Sequence, residues 1–199
     1  MSYDPQAHGA ECLTCPLMGR PVAPPEGPLN ATFAVVGEAP IREDEIRRRP
    51  FMSAGGRLLE DMLESANLDR SQVWLTNVVL CRPRTPGVTG AKQHDLLTLL
   101  AWIRLENATA RKTHAPLIRS PIECCRPRLL RELALVEENG WREKQPNGAV
   151  VMALGNTATH ALTGKQGVLN RRGSPVPVKF TGTGEIHATW DPRPTEEGR

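Results

Sequence analysis

Aromatic residues are scarce in this sequence, and it has no long apolar stretch. The 199 residues include four Trp, three Phe and one Tyr, together 4% of the chain. No run approaches the ~20 apolar residues that a helix needs to span a bilayer. Residues 1–15, MSYDPQAHGAECLTC, lack the basic start and the apolar core of a secretory signal peptide. These absences predict a soluble, cytoplasmic protein that does not act on a membrane.

The sequence also lacks a strong excess of either charge. It carries 25 basic and 22 acidic residues, which gives a net charge of +3 with neutral histidines. So mild a balance does not by itself indicate a nucleic-acid partner. A chain of this length buries about 70% of its unfolded surface when it folds as one domain. The 18 Pro and 17 Gly predict many loops.

Five cysteines are present although nothing in the sequence indicates secretion. They form a Cys12-x-x-Cys15 pair, a single Cys81 and the adjacent pair Cys124-Cys125. Outside an oxidising compartment a disulfide framework is not expected. The alternative is that they are small buried apolar side chains, but the CxxC lies in a polar segment, which fits that alternative poorly. The spacing therefore predicts metal binding.

Apolar stretches alternate with helical patterns along the chain. Strands are predicted at 32–37, 73–80, 148–155 and 185–190, and helices at 55–68, 94–112, 123–140 and 156–164. Strands that are apolar throughout and alternate with helices form parallel sheets covered on both faces. The pattern predicts an α/β fold, a three-layer αβα arrangement with a central, mainly parallel four-stranded sheet.

Ligands of such sheets bind beyond the carboxyl ends of the strands, so the residues at these ends are candidates for function. They are 37–40 after the first strand, 77–81 on the second, 155–156 after the third and 191–192 after the fourth. The whole chain, 1–199, is expected to be a single domain with an insertion at about 84–120.

Five motifs carry a resemblance to a known family. They are CxxC at 12–15, GEAP at 37–40, TNVVLCRPR at 76–84, ECCRPRLLREL at 123–133 and VVMALGNTA at 150–158. In order and spacing, from about Cys12 to Gly173, the chain resembles the uracil-DNA glycosylase superfamily, and within it the iron–sulfur branch called family 4. The resemblance implies a uracil-DNA glycosylase-like fold and DNA, single- or double-stranded, as the partner of a monomer.

The function implied by the resemblance is that of a monofunctional DNA glycosylase. Such an enzyme flips a base out of DNA and removes it by hydrolysis, here uracil or another deaminated or modified base. A first alternative is a catalytically impaired iron–sulfur DNA-binding member of the same superfamily. A second is a zinc-stapled structural protein unrelated to DNA.

The resemblance also assigns residues to the site. The catalytic candidates are Glu38, Asp44, Glu45 and Asp191, and the base-binding candidates are Phe51, Asn77, Ala39 and Pro40. An aromatic ring replaces the stacking that a flipped base loses, and a side-chain amide offers both a donor and an acceptor to the base edge. Asp44 or Glu45 would position the attacking water, and Glu38 would help to fix the pocket. The alternatives are a solvated acidic loop, a core Phe and an Asn bonded to its own backbone.

For the cysteines, the resemblance implies a 4Fe-4S cluster held by four thiolates. The matching positions are Cys12, Cys15, Cys81 and Cys125, which leaves Cys124 over, and residues 1–30 would be the cluster-binding segment. Four cysteines also suit a structural zinc, and the sequence alone does not separate the two metals.

The chain departs from the family pattern at three positions. Asp191 stands where the family has a histidine that stabilises the charge developing on the leaving base, and a carboxylate donates no hydrogen bond unless it is protonated. Ile41 and Arg48 stand where the family has glycines. His94 lies in the region where one branch of the superfamily captures the sugar covalently, but the basic signature of that branch is absent, so covalent capture is not expected.

Overall fold

Strands and helices alternate along the part of the chain that the structure, a computed structural model, describes: residues 3–141, 150–165, 167, 178–180 and 186–188. The strands are β1 (Phe33–Gly37), β2 (Val73–Asn77), β3 (Val150–Ala153), β4 (Val178–Phe180) and β5 (Ile186–Ala188). The helices are α1 (Arg42–Arg47), α2 (Ala54–Ser65), α3 (Leu96–Thr113), α4 (Pro121–Val136) and α5 (Gly155–Thr163). Short 3₁₀ turns lie at Cys12–Thr14, Arg70–Gln72 and Ala91–His94, and a π-helical turn, Glu137–Trp141, follows α4. None of the described helices is long and apolar enough to cross a membrane.

The central sheet is parallel, and β1 lies in its middle in the order β2-β1-β3. The chain that precedes β1 runs antiparallel along the outer edge of β2, where bridges join Val22 to Cys81 and Glu26 to Leu75. This segment satisfies backbone groups on an edge that would otherwise lack partners. It also places the chain that follows the CxxC beside Cys81.

Helices cover both faces of the sheet. Successive side chains of a strand point to opposite faces, and in β1 Val35 packs with Leu59 and Leu63 of α2. Ala34 and Val36 belong to the larger core cluster, which α3, α4 and α5 build on the other face. The arrangement is therefore broadly αβα, as the sequence predicted.

The prediction of a fourth strand in the central sheet is wrong within the described residues, where that sheet has three strands. The predicted strand at 185–190 is present as β5, but it pairs antiparallel with β4 in a separate two-stranded sheet. An antiparallel partner that is close in sequence can be reached through a short connection, whereas joining a parallel sheet needs a long crossover. The sequence analysis did not recognise β4 as a strand and so could not anticipate this pairing.

Helix α1 was also missed, whereas the other four helices lie close to their predicted ranges. The sequence of α1, REDEIR, carries no apolar stripe that would indicate a helix. Helix α3 lies in the segment predicted to be an insertion, and it buries Leu96, Leu99 and Ile103 in the larger core. This segment thus contributes to one layer of the fold.

A fully buried arginine joins α4 to the carboxyl end of β2. Arg128 Nη2 donates to the carbonyl oxygens of Asn77 and Val78 at 2.8 and 2.9 Å, and Nη1 donates to Glu132 Oε2 at 2.8 Å. Burial is the largest influence on the pKa of Arg128 and acts to lower it, but Glu132, Cys125 and Tyr3 together outweigh burial, so the pKa is raised. The guanidinium is therefore charged. Tyr3 donates its hydroxyl to the other oxygen of Glu132, which attaches the start of the chain to the same network.

Glu26 joins two other segments of the chain. Arg49 donates to its carboxylate at 2.6 and 3.0 Å, and Arg70 donates at 3.0 and 3.2 Å. Burial acts to raise the pKa of Glu26, but the hydrogen bonds from Arg49 and Arg70 lower it from 4.5 to about 2. The charged form is thus favoured in the folded state. Its stabilising effect is complete above the unfolded pKa of 4.5 and is lost as the pH falls towards 2.

We expect Glu26→Gln to lower the free energy of unfolding at pH 7 by about 1–2 kcal/mol, because two arginines lose their charged partner. The difference from the wild type should shrink as the pH falls from 4.5 to 2, since the wild type loses the same charge by protonation. Thermal unfolding followed between pH 2 and pH 7 measures this. Glu43→Gln, on the exposed surface of α1, is the matched control. A Glu26→Gln deficit that did not change with pH would contradict the role given to this carboxylate.

Candidate functional site

The carboxyl ends of β1 and β3 lie where the chain turns to opposite faces of the sheet. β1 leads towards α2 on one face, and β3 leads into α5 on the other. Parallel sheets bind ligands in the crevice at such a point. Glu38, just after β1, accepts a hydrogen bond at Oε2 from Thr157 Oγ1 of α5 at 2.5 Å and so bridges the two sides. Ala39 packs against the larger core, and Pro40 is buried.

The two principal base-binding candidates meet at Gly37, the last residue of β1. A Cβ placed on Gly37 would lie 2.9 Å from Cε1 and Cζ of the Phe51 ring and 2.3 Å from Asn77 Oδ1. Real Cβ atoms essentially never come so close to other atoms. The ring and the amide can therefore approach this point together only because residue 37 has no side chain. The structure brings these two predicted residues into one small region.

Phe51 holds an unusual backbone conformation, and its surroundings fix it. Its φ is +58°, in the left-handed region that bulky side chains rarely adopt. Gly56 makes this possible, because a Cβ there would lie 1.7 Å from the Phe51 carbonyl oxygen. On the other side, the Met52 amide is held by Asp44 at 2.6 Å. Strained residues of this kind persist where neighbours determine the geometry, and they cluster at ligand sites.

The side-chain amide of Asn77 is available to a ligand. Asn77 is buried, with 3% of its surface exposed, and its carbonyl is held by Arg128. Its side-chain nitrogen and oxygen make no hydrogen bond to any described residue. Neither atom belongs to the fully buried polar atoms that lack a partner, so both keep some accessible surface. The alternative, in which the amide satisfies its own backbone, does not fit this geometry. One donor and one acceptor thus lie beside the Phe51 ring.

Asp44 is a buried carboxylate and not part of a solvated loop. Its Oδ2 accepts from the Ile41 amide at 3.0 Å, and its Oδ1 accepts from the Met52 amide at 2.6 Å. One side chain therefore fixes both the start of α1 and the residue after Phe51. An ionised carboxylate has about four lone-pair sites, so acceptor capacity remains on both oxygens.

Glu45 is engaged with two arginines. Its Oε1 accepts from Arg20 Nη2 at 2.9 Å and its Oε2 accepts from Arg82 Nη1 at 3.4 Å. Arg20 comes from the segment after the CxxC, and Arg82 follows Cys81. The acidic helix α1 is thus joined by ion pairs to two of the three cysteine-bearing segments.

The candidate metal ligands come together from three parts of the chain. Cys15 and Cys81 pack against the core cluster that contains Cys125. Burial, followed by the nearby Cys125 thiol, raises the pKa of Cys12 and raises that of Cys81 to about 12, and burial raises the pKa of Cys15 to about 12. A bound cation stabilises thiolates and would therefore remove this opposition to ionisation of the three cysteines. Among the described side chains, no group of three His, Cys, Asp or Glu is arranged to hold a single metal ion.

Cys124 is the cysteine outside the predicted ligand set, and it lies beside the CxxC turn. It is buried with 1% exposure, and its Sγ lies 3.9 Å from Thr14 Oγ1. Its carbonyl accepts from the Glu11 amide at 2.9 Å. The residue therefore attaches the CxxC turn to α4 through its backbone.

Several residues that build the site were not predicted. Thr157, Arg20 and Arg128 act through packing and hydrogen bonds that only the folded chain shows. One signal was available: Glu132 follows Arg128 by four residues, the spacing of a helical ion pair. Asp191, the remaining catalytic candidate, lies outside the described residues, and of the nearby β5 only the backbone is described.

Comparison with known proteins gives a family match and several curated relatives. The family described as the uracil DNA glycosylase superfamily matches residues 24–198, which confirms the resemblance seen in the motifs. A type-4 uracil-DNA glycosylase of Archaeoglobus fulgidus is 45% identical over 60 residues, 30% of each chain. Those of Pyrobaculum aerophilum and Thermotoga maritima are each 40% identical, over 38% of this chain and 41% and 42% of their own lengths. The matched part spans less than half the length of these relatives.

We expect Gly37→Ala to disrupt the site while leaving the fold intact, because the new methyl group must displace the Phe51 ring or the Asn77 amide. The NMR signals of the Asn77 side-chain amide and the Phe51 ring measure this, and both should shift strongly. Gly55→Ala is the matched control, since a Cβ there finds only Ser53 Oγ at 3.6 Å, an ordinary contact. Equal and small shifts in both variants would contradict the close approach at Gly37.

Proposed function

Because the chain belongs to the uracil DNA glycosylase superfamily, we propose that it is a DNA glycosylase that hydrolyses the bond between a flipped-out base and its sugar. The observation that carries this proposal is the meeting of the Phe51 ring and the free Asn77 amide over Gly37. The base is uracil or another deaminated or modified base.

Phe51 and Asn77 supply different parts of base recognition. The ring takes over the stacking that the base loses when it leaves the duplex. The amide pairs with the donor and the acceptor on the edge of the base. A site whose polar group is left unpaired by the wrong base rejects that base strongly. Ala39 and Pro40, which follow β1, line one side of the base-binding pocket.

The acids after β1 act on the water and on the developing charge. Asp44 positions the attacking water with the acceptor capacity that remains after it has bound the Ile41 and Met52 amides. Glu38, fixed by Thr157, holds the pocket between β1 and α5. Negative charge in this region also stabilises the sugar, which becomes cation-like as the bond breaks. Glu45 acts through its arginine partners, and Asp191 remains a proposed catalytic residue.

DNA is the proposed partner, single- or double-stranded, in the cytoplasm. Arg47 and Arg48 of the α1 region are exposed and form no ion pair with a described residue, so they are free to contact phosphates. One chain carries all the groups that the reaction needs, so a monomer suffices.

The four cysteines Cys12, Cys15, Cys81 and Cys125 fit a thiolate-bound metal centre. Burial and the neighbouring thiols raise the pKa of Cys12, Cys15 and Cys81 and so oppose their ionisation until a cation is present. We propose a 4Fe-4S cluster, with structural zinc as the alternative. When bound, the centre would cross-link the N-terminal segment, the end of β2 and α4. Hydrolysis of the glycosidic bond needs no redox chemistry from it.

The proposed activity predicts base release from DNA. The protein, purified without oxygen, is incubated with single- and double-stranded oligonucleotides that carry uracil, hypoxanthine, xanthine or 5-hydroxymethyluracil, and the abasic product is cleaved with alkali. One base should be released, and Asn77→Ala should lower the rate at least about 30-fold, because two hydrogen bonds to the buried base edge are lost at about 1–3 kcal/mol each. Asn30→Ala, an exposed amide without a side-chain hydrogen bond, should leave the rate unchanged.

Binding without release would favour the alternative function. If no base is released while fluorescence anisotropy shows tight binding of the same oligonucleotides, the chain is a DNA-binding member in which Asp191 marks the lost activity. If there is neither release nor binding, the proposal fails.

The proposed metal centre predicts different effects for neighbouring cysteines. Cys81→Ser and Cys125→Ser should lose the metal and destabilise the N-terminal segment, whereas Cys124→Ser should keep it, because Cys124 is not a proposed ligand. Elemental analysis for iron and zinc, acid-labile sulfide and the visible absorption spectrum measure the outcome. About four irons and four sulfides per chain indicate the cluster, and zinc without sulfide indicates the alternative. Equal metal loss in all three variants would contradict the assigned ligand set.

A further inference from the structure

Four buried side-chain polar atoms of the described residues have no hydrogen-bond partner, and two of them are arginine Nε atoms. The four are Arg20 Nε, Arg128 Nε, Trp74 Nε1 and Thr85 Oγ1. A buried donor that lacks a partner is costly, above all on a charged group. Each such donor in a native structure calls for an explanation, for example an acceptor on a bound ion or group. Terminal nitrogens of both arginines donate hydrogen bonds to carboxylates or carbonyls.

Arg20 lies against the proposed metal centre. Its carbonyl oxygen is the acceptor for the Cys81 thiol, at 3.9 Å. The side chains of Arg20 and Arg128 both lie close enough to the Cys81 sulfur to interact with it electrostatically. At its far end, Arg20 Nη2 holds Glu45, the neighbour of Asp44. The side chain thus extends from the cysteine-bearing segments to the acidic helix α1.

Arg128 also lies near the candidate cysteine ligands. It follows Cys125 by three residues on α4, so the two side chains share one face of the helix. Its charge also favours the thiolate of Cys12, whose pKa is raised mainly by burial. Its terminal nitrogens are taken up by the carbonyls at the end of β2 and by Glu132, which leaves Nε–H for another acceptor.

We propose that the Nε–H groups of Arg20 and Arg128 are the hydrogen-bond donors to the sulfur atoms of the metal centre held by the four cysteines. Arg20 is in addition a positioning residue, because the same guanidinium holds Glu45 beside the carboxylate that orients the Phe51 loop. The inference rests on the metal centre of the proposed function. Partners of metal ligands typically change metal affinity 10- to 100-fold when they are removed.

Arg20→Lys tests the donor without removing the charge. Lysine keeps a cation for Glu45 but has no Nε–H. Arg82→Lys is the matched control, because Arg82 also pairs with Glu45 and adjoins Cys81, yet it has no orphaned buried nitrogen. The readout is the rate at which each metal-loaded protein, with whichever metal it carries, loses that metal to an excess of chelator. Thermal unfolding of the metal-free proteins shows whether a variant is simply less stable.

Arg20→Lys should lose metal at least ten-fold faster than the wild type and Arg82→Lys, with no difference between the metal-free proteins. If the metal is a cluster, its reduction potential should also fall in Arg20→Lys, because hydrogen bonds to sulfur favour the reduced state. Equal metal-loss rates in all three proteins would overturn the inference while leaving the proposed glycosylase standing. A wild type that binds no metal would overturn both the inference and the proposed cofactor, whereas base release would still judge the proposed activity.

Discussion

The guanidinium of Arg128 is the constraint on which the other parts of the site depend. Its bonds to the Asn77 and Val78 carbonyls fix the end of β2 and so aim the Asn77 side chain. Its pair with Glu132 attaches this point to α4 and, through Tyr3, to the start of the chain. A buried charge is tolerated only when its partners are in place, and removal of one partner of such a pair commonly costs about 3–5 kcal/mol. The polar network and the site are therefore built or lost together.

Close approach of backbone segments is the second requirement of the site. Gly37 lets the Phe51 ring and the Asn77 amide both lie close to its Cα. Gly56 lets the Phe51 carbonyl oxygen occupy the space that a side chain would fill. Asp44 then fixes the loop between them with two backbone hydrogen bonds. The backbone on both sides of the Phe51 ring is thus fixed by neighbouring residues, which is how a rigid site is made from a loop.

The sequence indicated the residues of the site better than their roles. Phe51 and Asn77 were predicted from the resemblance to the family, and the structure brings both side chains close to Gly37. The burial of Asp44 and the arginine partners of Glu45 were not predictable, since they depend on contacts between segments far apart in the chain. The same holds for β5, which in the described residues pairs with β4 in a separate sheet and not with the central sheet. Helix α1 was missed because six mostly charged residues give no periodic signal.

The position of the cysteines along the chain sets an order on biosynthesis. The Glu11 amide, beside the CxxC turn, is bound to the Cys124 carbonyl on α4, and 110 residues separate Cys15 from Cys125. At ribosomal rates of roughly 5–20 residues per second, the first part of the chain emerges about 5–20 s before its partner helix. During that interval the CxxC turn lacks its partner on α4. The CxxC turn is therefore attached late in the folding of a nascent chain. Its thiols stay exposed until then, and in the cell they must be protected before folding buries them.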